Sequence, residues 1–224
     1  MSVRSFVDLR AFAAQAAEGG DLLGGTALPL PDGPVSIAAA RLSGGGHVAA
    51  MPADQFVIVL AGTLTINGEV LEPTRSIVLP AGIALDWQAE PGTLIIAMRC
   101  TSGPPGADRP VPIDHDAPLE PSGAPLAELL VGATPACRNH TDYRSATGEF
   151  LCGTWDSTPY FRLPMRYRHY ELMHLLDGAV TFVDEAGRTA TFTAGDIFLV
   201  EQGAECSWES KTFVKKVYAI YRPT

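Results

Sequence analysis

The hydrophobic residues of this chain form short apolar or alternating runs, separated by glycine, proline and Asn-Gly. Examples are "VSIAAARL", "QFVIVLAGTLTI", "SIVLPAG" and "TLIIAMR". Runs of this length with frequent turn residues are typical of an all-β sandwich or barrel. Asn67-Gly68 has the sequence of a tight hairpin turn. The pattern therefore predicts an all-β fold.

Helical spacing occurs in one stretch, residues 5–18. Ser5 can cap a helix there, Phe6, Leu9 and Phe12 form an apolar stripe, and a Gly-Gly pair follows. We therefore predict a single short helix near the start, packed against the outside of a sheet.

The middle of the chain differs in composition from both halves. Residues 101–126 are rich in proline, glycine, alanine and aspartate and show no periodicity, as expected for a linker. We predict an N-terminal domain over residues 1–108, a linker over 109–128 and a C-terminal domain over 129–224.

The two halves can be aligned with each other. "DQFVIVLAGTLTI" (54–66) matches "YELMHLLDGAVTF" (170–182), and "PAGIALDW" (80–87) matches "EQGAECSW" (201–208). Glycine and tryptophan positions coincide in these alignments, which indicates an internal duplication of a β-domain of roughly 90 residues.

Composition and charge exclude several classes of partner. Hydrophobic residues make up 46% and charged residues 18% of the chain, which fits a globular protein. The net charge of −9 disfavours binding to nucleic acid or to anionic membranes. No apolar run has the length of a membrane span or the form of a signal peptide, so we expect a cytoplasmic protein. The four cysteines are far apart, and reduced thiols are expected.

Two segments of the second half resemble the sequence motifs of the cupin superfamily. The matching patterns in "ELMHLLDG" and "GDIFLVEQGAEC" are Glu171-x6-Gly178 and Gly195-x5-Glu201-x-Gly203-x2-Cys206. With "CGTWDSTPYFRLP" and "VKKVYAIYR", they resemble the branch that holds the ethanolamine-utilisation Q protein and relatives of ureidoglycine aminohydrolase. The resemblance implies tandem double-stranded β-helix barrels of the jelly-roll type, a bicupin.

The same resemblance bears on metal binding, because metal-binding cupins hold a divalent ion with three histidines and one glutamate. In the second half the glutamate place is Glu171, whereas the histidine places fall on Pro164 or Met165, Arg166 or Tyr167, and Cys206. In the first half the four places fall on Val48 or Ala49, Ala50 or Met51, Gln55, and Leu85. We therefore expect no metal or other cofactor.

A divalent metal remains the alternative. Period-two alternation places His169 on the same face as Glu171, and Cys206 is expected to point inward, which would give a His, Glu and Cys set that zinc accepts. Without a metal, Glu171 either pairs with a nearby cation or has a raised pKa. The candidate cations are Arg166, Arg168, Lys215 and Lys216. His174, at odd spacing from Glu171, should point away from the pocket.

The favoured function is a metal-free bicupin that binds a small polar or anionic metabolite in its C-terminal barrel, while the N-terminal barrel is structural. The predicted ligand-binding residues are Tyr167, His169, Glu171, Cys206, Trp208 and Lys216. One alternative is a metal-dependent enzyme that acts on a small nitrogenous or carboxylate compound. Another is an assembly protein that works through oligomer contacts. A homodimer is expected, and the sequence leaves enzymatic activity open.

Overall fold

Almost all regular structure in the computed structural model, which describes residues 3–101 and 103–223, is β-strand. The prediction of an all-β fold is confirmed. The described residues also contain one α-helix, α1 (Leu9–Ala13), and one 3-10 helix (Ala127–Leu129). The strands, in chain order, are β1 (Val7–Asp8), β2 (Thr26–Ala27), β3 (Val35–Val48), β4 (Asp54–Ala61), β5 (Leu64–Ile66), β6 (Glu69–Leu71), β7 (Ser76–Leu79), β8 (Leu85–Cys100), β9 (Val111–Pro112), β10 (Glu120–Ser122), β11 (Leu130–Val131), β12 (Cys137–Arg144), β13 (Phe150–Ser157), β14 (Tyr160–Arg166), β15 (Tyr170–Asp177), β16 (Ala179–Val183), β17 (Thr189–Thr193), β18 (Ile197–Val200), β19 (Glu205–Ser210) and β20 (Val214–Tyr221).

The predicted short N-terminal helix is confirmed, but it is shorter than the residues 5–18 that the spacing predicts. α1 has five residues, and β1 precedes it, paired antiparallel with β18. The ring of Phe6 lies 6.2 Å from that of Phe182, in the core around β16, whereas Leu9 is buried in different surroundings. The apolar residues therefore do not share one helical stripe, because tertiary contacts outweigh the weak helical preference of so short a segment.

The chain forms two compact units. The first comprises Leu9–Ile113 and Tyr143–Leu151. The second comprises the described residues up to Asp8, Asp114–Asp142, and the described residues from Cys152 onward. In the part of the chain that the structure describes, no helix is long and apolar enough to cross a membrane.

The first unit is built on an eight-stranded sheet with an aliphatic core. Its strand order is β2-β3-β8-β4-β7-β9, and β5 pairs with both β6 and β8. The long pairing of β3 with β8 runs from Val35 opposite Cys100 to Val48 opposite Leu85, with one bulge. One face of this sheet is packed with leucine, isoleucine, valine and alanine side chains.

The second unit has two sheets and a core rich in aromatic residues. The seven-stranded sheet has the order β1-β18-β15-β20-β13-β12-β10, and the five-stranded sheet has the order β11-β14-β19-β16-β17. The core contains side chains from both sheets, among them Met173 and Phe198 from the first and Phe182 and Trp208 from the second. It therefore lies between the sheets, as expected for a β-sandwich arrangement.

Strand pairing in the two units reproduces the internal alignment of the sequence. β4 and β15 each have eight residues, and each is followed by a glycine with positive φ, Gly62 (φ 71°) or Gly178 (φ 78°). Each strand lies between a later four-residue strand and the long strand that ends its repeat, β7 and β8 in one case and β18 and β20 in the other. The pairing supports an internal duplication.

Candidate functional site

A buried ion pair lies in the core of the second unit. Along β15, Glu171 shares a face with the core residues Met173 and Leu175, and Lys216 on β20 is paired opposite Leu175. Lys216 Nζ donates to Glu171 Oε1 at 2.7 Å and contacts Met173 Sδ at 3.1 Å. Only 7% of each charged residue is exposed. Of the four cations considered as partners for Glu171, the structure selects Lys216.

His169 completes this polar group. Its Nε2 lies 3.2 Å from Glu171 Oε2, so both carboxylate oxygens have a partner. Burial acts to raise the pKa of Glu171, but the Lys216 ammonium and the His169 hydrogen bond outweigh it and hold the pKa well below its usual range. Glu171 is therefore ionised at neutral pH and is held in place by two neighbours.

Aromatic rings surround the ammonium group. Lys216 Nζ lies 4.8 Å from the centroid of the Trp155 ring and 5.0 Å from that of Trp208, distances at which cation–π attraction is significant. The two indoles are nearly perpendicular, with centroids 6.0 Å apart, and Tyr160 stacks on Trp208 at 5.8 Å. Trp155 and Tyr160 are only partly buried, whereas Trp208 is buried.

A second cation, which the sequence did not reveal, is Arg162. It is 4% exposed, its Nη2 donates to the Tyr167 hydroxyl at 3.1 Å, and its guanidinium lies over the Tyr167 ring at 5.4 Å. Nη1 donates to the carbonyl of Leu163 at 3.3 Å. Among the residues that the structure describes, no carboxylate lies within ion-pair distance of Arg162. Its contacts are a phenol and a carbonyl, neither of which carries a full negative charge.

Arg162 and Glu171 act on the same buried hydroxyl. Burial raises the pKa of Tyr160 well above its ordinary value, Arg162 acts to lower it, and Glu171 acts to raise it. Burial likewise raises the pKa of Tyr167, against the effect of Arg162. The ring of Tyr167 is 5.2 Å from that of His169, which connects Arg162 to the Glu171 group. Two cations and one carboxylate therefore share this interior.

Cys206 lies in the same core, and its thiol is not ionised. It is completely buried and is paired with Met165 across β14 and β19. Burial raises its pKa to about 12, although Arg162 acts in the opposite direction. Without a metal the thiol is therefore protonated at neutral pH, and a protonated thiol is a poor nucleophile. The buried indole Nε1 of the neighbouring core residue Trp208 has no hydrogen-bond partner among the residues that the structure describes.

The side chains at the motif places do not form a ligand set for the divalent ion that metal-binding cupins hold. In the ranges 3–101 and 103–223, no group of three or more His, Cys, Asp or Glu side chains is placed to hold a metal ion. The Glu171 carboxylate already accepts from the Lys216 ammonium group. The upstream histidine places carry Pro164 or Met165 and Arg166 or Tyr167, none of which is a usual ligand of a divalent metal. The position next to Glu171 already carries a positive charge from the chain itself.

The structure places the predicted ligand-binding residues in one cluster. Tyr167, His169, Glu171, Lys216 and Trp208 are linked by the contacts described above, and Cys206 belongs to the same core. The sequence did not point to Arg162, because β14 has a register shift between Arg162 and Met165 that interrupts the alternation of inward and outward side chains.

His174 lies on the opposite face of β15. It is buried, and its ring is 6.3 Å from that of His115. The prediction that it points away from the pocket is confirmed.

Comparison with known proteins identifies the fold. Residues 144–218 match the family model of the EutQ-like cupin domain. No curated protein sequence matches the chain significantly. A protein of unknown function from Pseudomonas syringae, of the DUF861 family, is 26% identical, with a TM-score of 0.84 over 92% of each chain.

Two more distant structures share the fold across both units. A cupin 2 conserved barrel domain protein from Leptotrichia buccalis is 11% identical, with a TM-score of 0.59 over 99% of this chain and 98% of that one. Protein Ylba from E. coli, also of the DUF861 family, is 12% identical, with a TM-score of 0.57 over 100% of this chain and 95% of that one. The predicted resemblance to the cupin superfamily is confirmed: residues 144–218 match an EutQ-like cupin domain, and the chain as a whole has a two-unit cupin fold.

Proposed function

We propose that the second unit binds a small organic anion, and that it does so without a metal ion. The observation that carries this proposal is the charge imbalance of the interior, where Arg162 and Lys216 are buried with Glu171 as the one carboxylate in contact with either of them among the described residues. Burying a charge without a counter-charge is costly, and the cost is removed when an anion enters.

The contacts of the two cations indicate where the anion binds. Lys216 is neutralised by Glu171, whereas Arg162 donates to uncharged oxygens only. A guanidinium presents its N–H groups in a planar fork that matches a carboxylate. The anionic group therefore binds to Arg162 by displacing the weaker contact with the Leu163 carbonyl, the longer of the two hydrogen bonds at 3.3 Å.

The surrounding residues favour a ligand with an apolar or planar part beside its carboxylate. Trp155 and Tyr160 pack against the core of the second unit and present partly exposed rings. The unpartnered Trp208 Nε1 is a buried donor that a ligand oxygen can satisfy. Mostly apolar surroundings with a few well-placed polar groups are typical of small-molecule sites.

The binding part of the proposal is tested with a panel of small carboxylates at pH 7, measured by thermal shift and isothermal titration calorimetry. At least one of acetate, lactate, malonate and succinate should raise the melting temperature of the wild-type protein. Arg162→Gln should weaken the binding of that anion by about tenfold or more, because a charge-assisted pair is lost. Arg168→Gln is the matched control, since Arg168 is exposed and carries the same charge.

The outcome that contradicts anion binding is equally specific. If none of the four carboxylates stabilises the protein, or if Arg162→Gln binds the active one as tightly as Arg168→Gln does, the buried cation is structural. Circular dichroism on both variants shows whether each is folded.

Metal independence is tested separately by mass spectrometry of untagged protein after incubation with zinc, nickel or manganese and desalting. Lys216 already binds the Glu171 carboxylate, and the Cys206 thiol is protonated in the metal-free protein. We therefore expect far less than one equivalent of bound metal, and the same amount in Glu171→Gln and in Cys206→Ala. Near-stoichiometric metal that disappears in both variants would refute this part of the proposal.

A further inference from the structure

The first unit contains a cavity of about 180 Å³, outside the site described above. Most of the residues that line it have small side chains. They are glycines and alanines from the segment before β3, from β3 and from β8, together with Leu23 and Ile37. Three polar side chains also reach it, those of Ser36, Gln55 and Arg99. At roughly 30 Å³ per water molecule, this volume corresponds to about six waters, enough for a small organic molecule.

Arg99 is held rigidly at the wall of this cavity. Gln55 and Arg99 are directly paired across β4 and β8, so their side chains lie on the same face. Arg99 Nε and Nη2 donate to Gln55 Oε1 at 2.9 and 2.7 Å, and Nη2 also donates to the carbonyl of Leu23 at 2.8 Å. Gln55 is fully buried, and its own Nε2 donates to the carbonyl of Leu22 at 2.8 Å. The amide therefore fixes the plane of the guanidinium.

This arrangement leaves the outer part of the guanidinium available. Within the described residues, neither Nη1 of Arg99 nor the Ser36 hydroxyl has a hydrogen-bond partner, and no carboxylate lies within ion-pair distance of Arg99. Burial lowers the pKa of Arg99, and Asp21, which acts to raise it, is an exposed side chain that already accepts from the amide of Leu23. The cation is partly desolvated and lacks a direct counter-charge.

We propose that this cavity is a second binding site, for a small aliphatic carboxylate held by Arg99 Nη1 and the Ser36 hydroxyl. Gln55 acts as a positioning residue, because its Oε1 holds the guanidinium through two hydrogen bonds. The first unit, expected from the sequence to be only structural, thereby has a ligand of its own.

The lining distinguishes a carboxylate from phosphate or sulfate. Ala27, Ala38 and Ala97 offer methyl groups but no further hydrogen-bond donors, so a tetrahedral dianion would lose much of its hydration without replacement. A short aliphatic acid places its two oxygens at the polar side and its hydrocarbon part against the alanines. Propionate is therefore the probe of choice, and inorganic phosphate is the comparison.

The site is tested by titrating propionate into ¹⁵N-labelled full-length protein and following the arginine Nε–H signals by NMR. The Arg99 signal is assigned by triple-resonance experiments on the wild type and checked by its loss in Arg99→Gln. It should shift saturably with propionate in the millimolar range and shift far less with phosphate. Ala38→Leu, which fills the cavity and keeps every charge, should weaken the binding about tenfold or more, whereas Arg41→Gln, a partly buried arginine outside the cavity, should leave it unchanged.

Two outcomes would overturn the proposal: an Arg99 signal that does not respond to propionate, or a response that is the same in Ala38→Leu as in the wild type. Ala38→Leu decides the question even if Arg99→Gln fails to fold. The Arg99 signal reports on the first unit alone. Repeating the titration in the Arg162→Gln background therefore separates this site from the one proposed in the second unit, and either proposal can fail without the other.

Discussion

Replacing Glu171 with glutamine should lower the free energy of unfolding at pH 7 by about 3–5 kcal/mol, the usual effect of removing one partner from a buried ion pair. The substitution keeps the shape of the side chain but leaves the Lys216 ammonium buried without its carboxylate, 2.7 Å away in the parent. Arg162 is buried nearby and, within the described chain, has no carboxylate of its own, so the variant interior holds two uncompensated cations. Denaturant titration followed by circular dichroism measures the difference.

The effect of Glu171→Gln should depend on pH in a defined direction. The pKa of Glu171 is depressed in the folded protein, so its contribution to stability is fully present above the unfolded pKa of about 4.3 and is lost as the pH falls toward the folded value. The stability difference between wild type and variant should therefore be constant near neutral pH and shrink below about pH 4.

A double variant separates the ion pair from simple damage to the core. Adding Lys216→Met to Glu171→Gln removes the stranded charge, so the double variant should be more stable than the sum of the two single losses predicts. The matched control is Glu209→Gln, because Glu209 is half-exposed and lies 3.7 Å from Lys211. This substitution should lower the free energy of unfolding by less than about 1 kcal/mol. Additive losses in the double variant would show that Glu171 and Lys216 are not energetically coupled.

Gly178→Ala is the second substitution with a large expected effect, a loss of about 3 kcal/mol or more. Gly178 has a φ of 78°, and a Cβ there would overlap the carbonyl oxygen of Phe213. Backbone conformation and backbone crowding both oppose a side chain, and a carbonyl at this place cannot move without disturbing the start of β20. Thermal and denaturant unfolding measure the loss.

Gly187→Ala provides the control for the conformational part of this effect. Gly187 has nearly the same φ, 75°, but a Cβ there meets nothing within 4 Å. It should cost about 1–2 kcal/mol, the penalty for left-handed backbone alone. Equal losses in the two variants would mean that the chain near Phe213 yields and that the close approach at Gly178 is unimportant.

The sequence predicted the fold correctly where the same residue pattern occurs in both halves of the chain. Gly62 and Gly178 both adopt positive φ directly after equivalent strands, and this shared requirement for glycine is why the two halves can be aligned from their residues alone. The inward-facing Glu171 followed from period-two alternation along β15, whereas His169 lies in the bend just before that strand.

Sequence reasoning failed where regularity is interrupted. Arg162 precedes the bulge in β14, so counting alternate positions back from Glu171 does not show which way it points. The predicted helix was too long for a related reason: β1 depends on a partner strand remote in sequence, and no local pattern contains that information. The cavity beside Arg99 likewise arises from small side chains contributed by separate segments.

The pairing of β1 with β18 has a consequence for how the chain folds. Val7 is paired with Leu199, and Arg4 binds Glu201 across 197 positions, so the second unit is completed only when very distant parts of the chain meet. The first unit in turn takes in Tyr143–Leu151, which follow segments of the second. The first unit can therefore be completed only after part of the second has been synthesised, and the second only after β18 has been synthesised. Removing the residues before Cys152 would leave the edge of β18 unpaired and exposed to association with other chains.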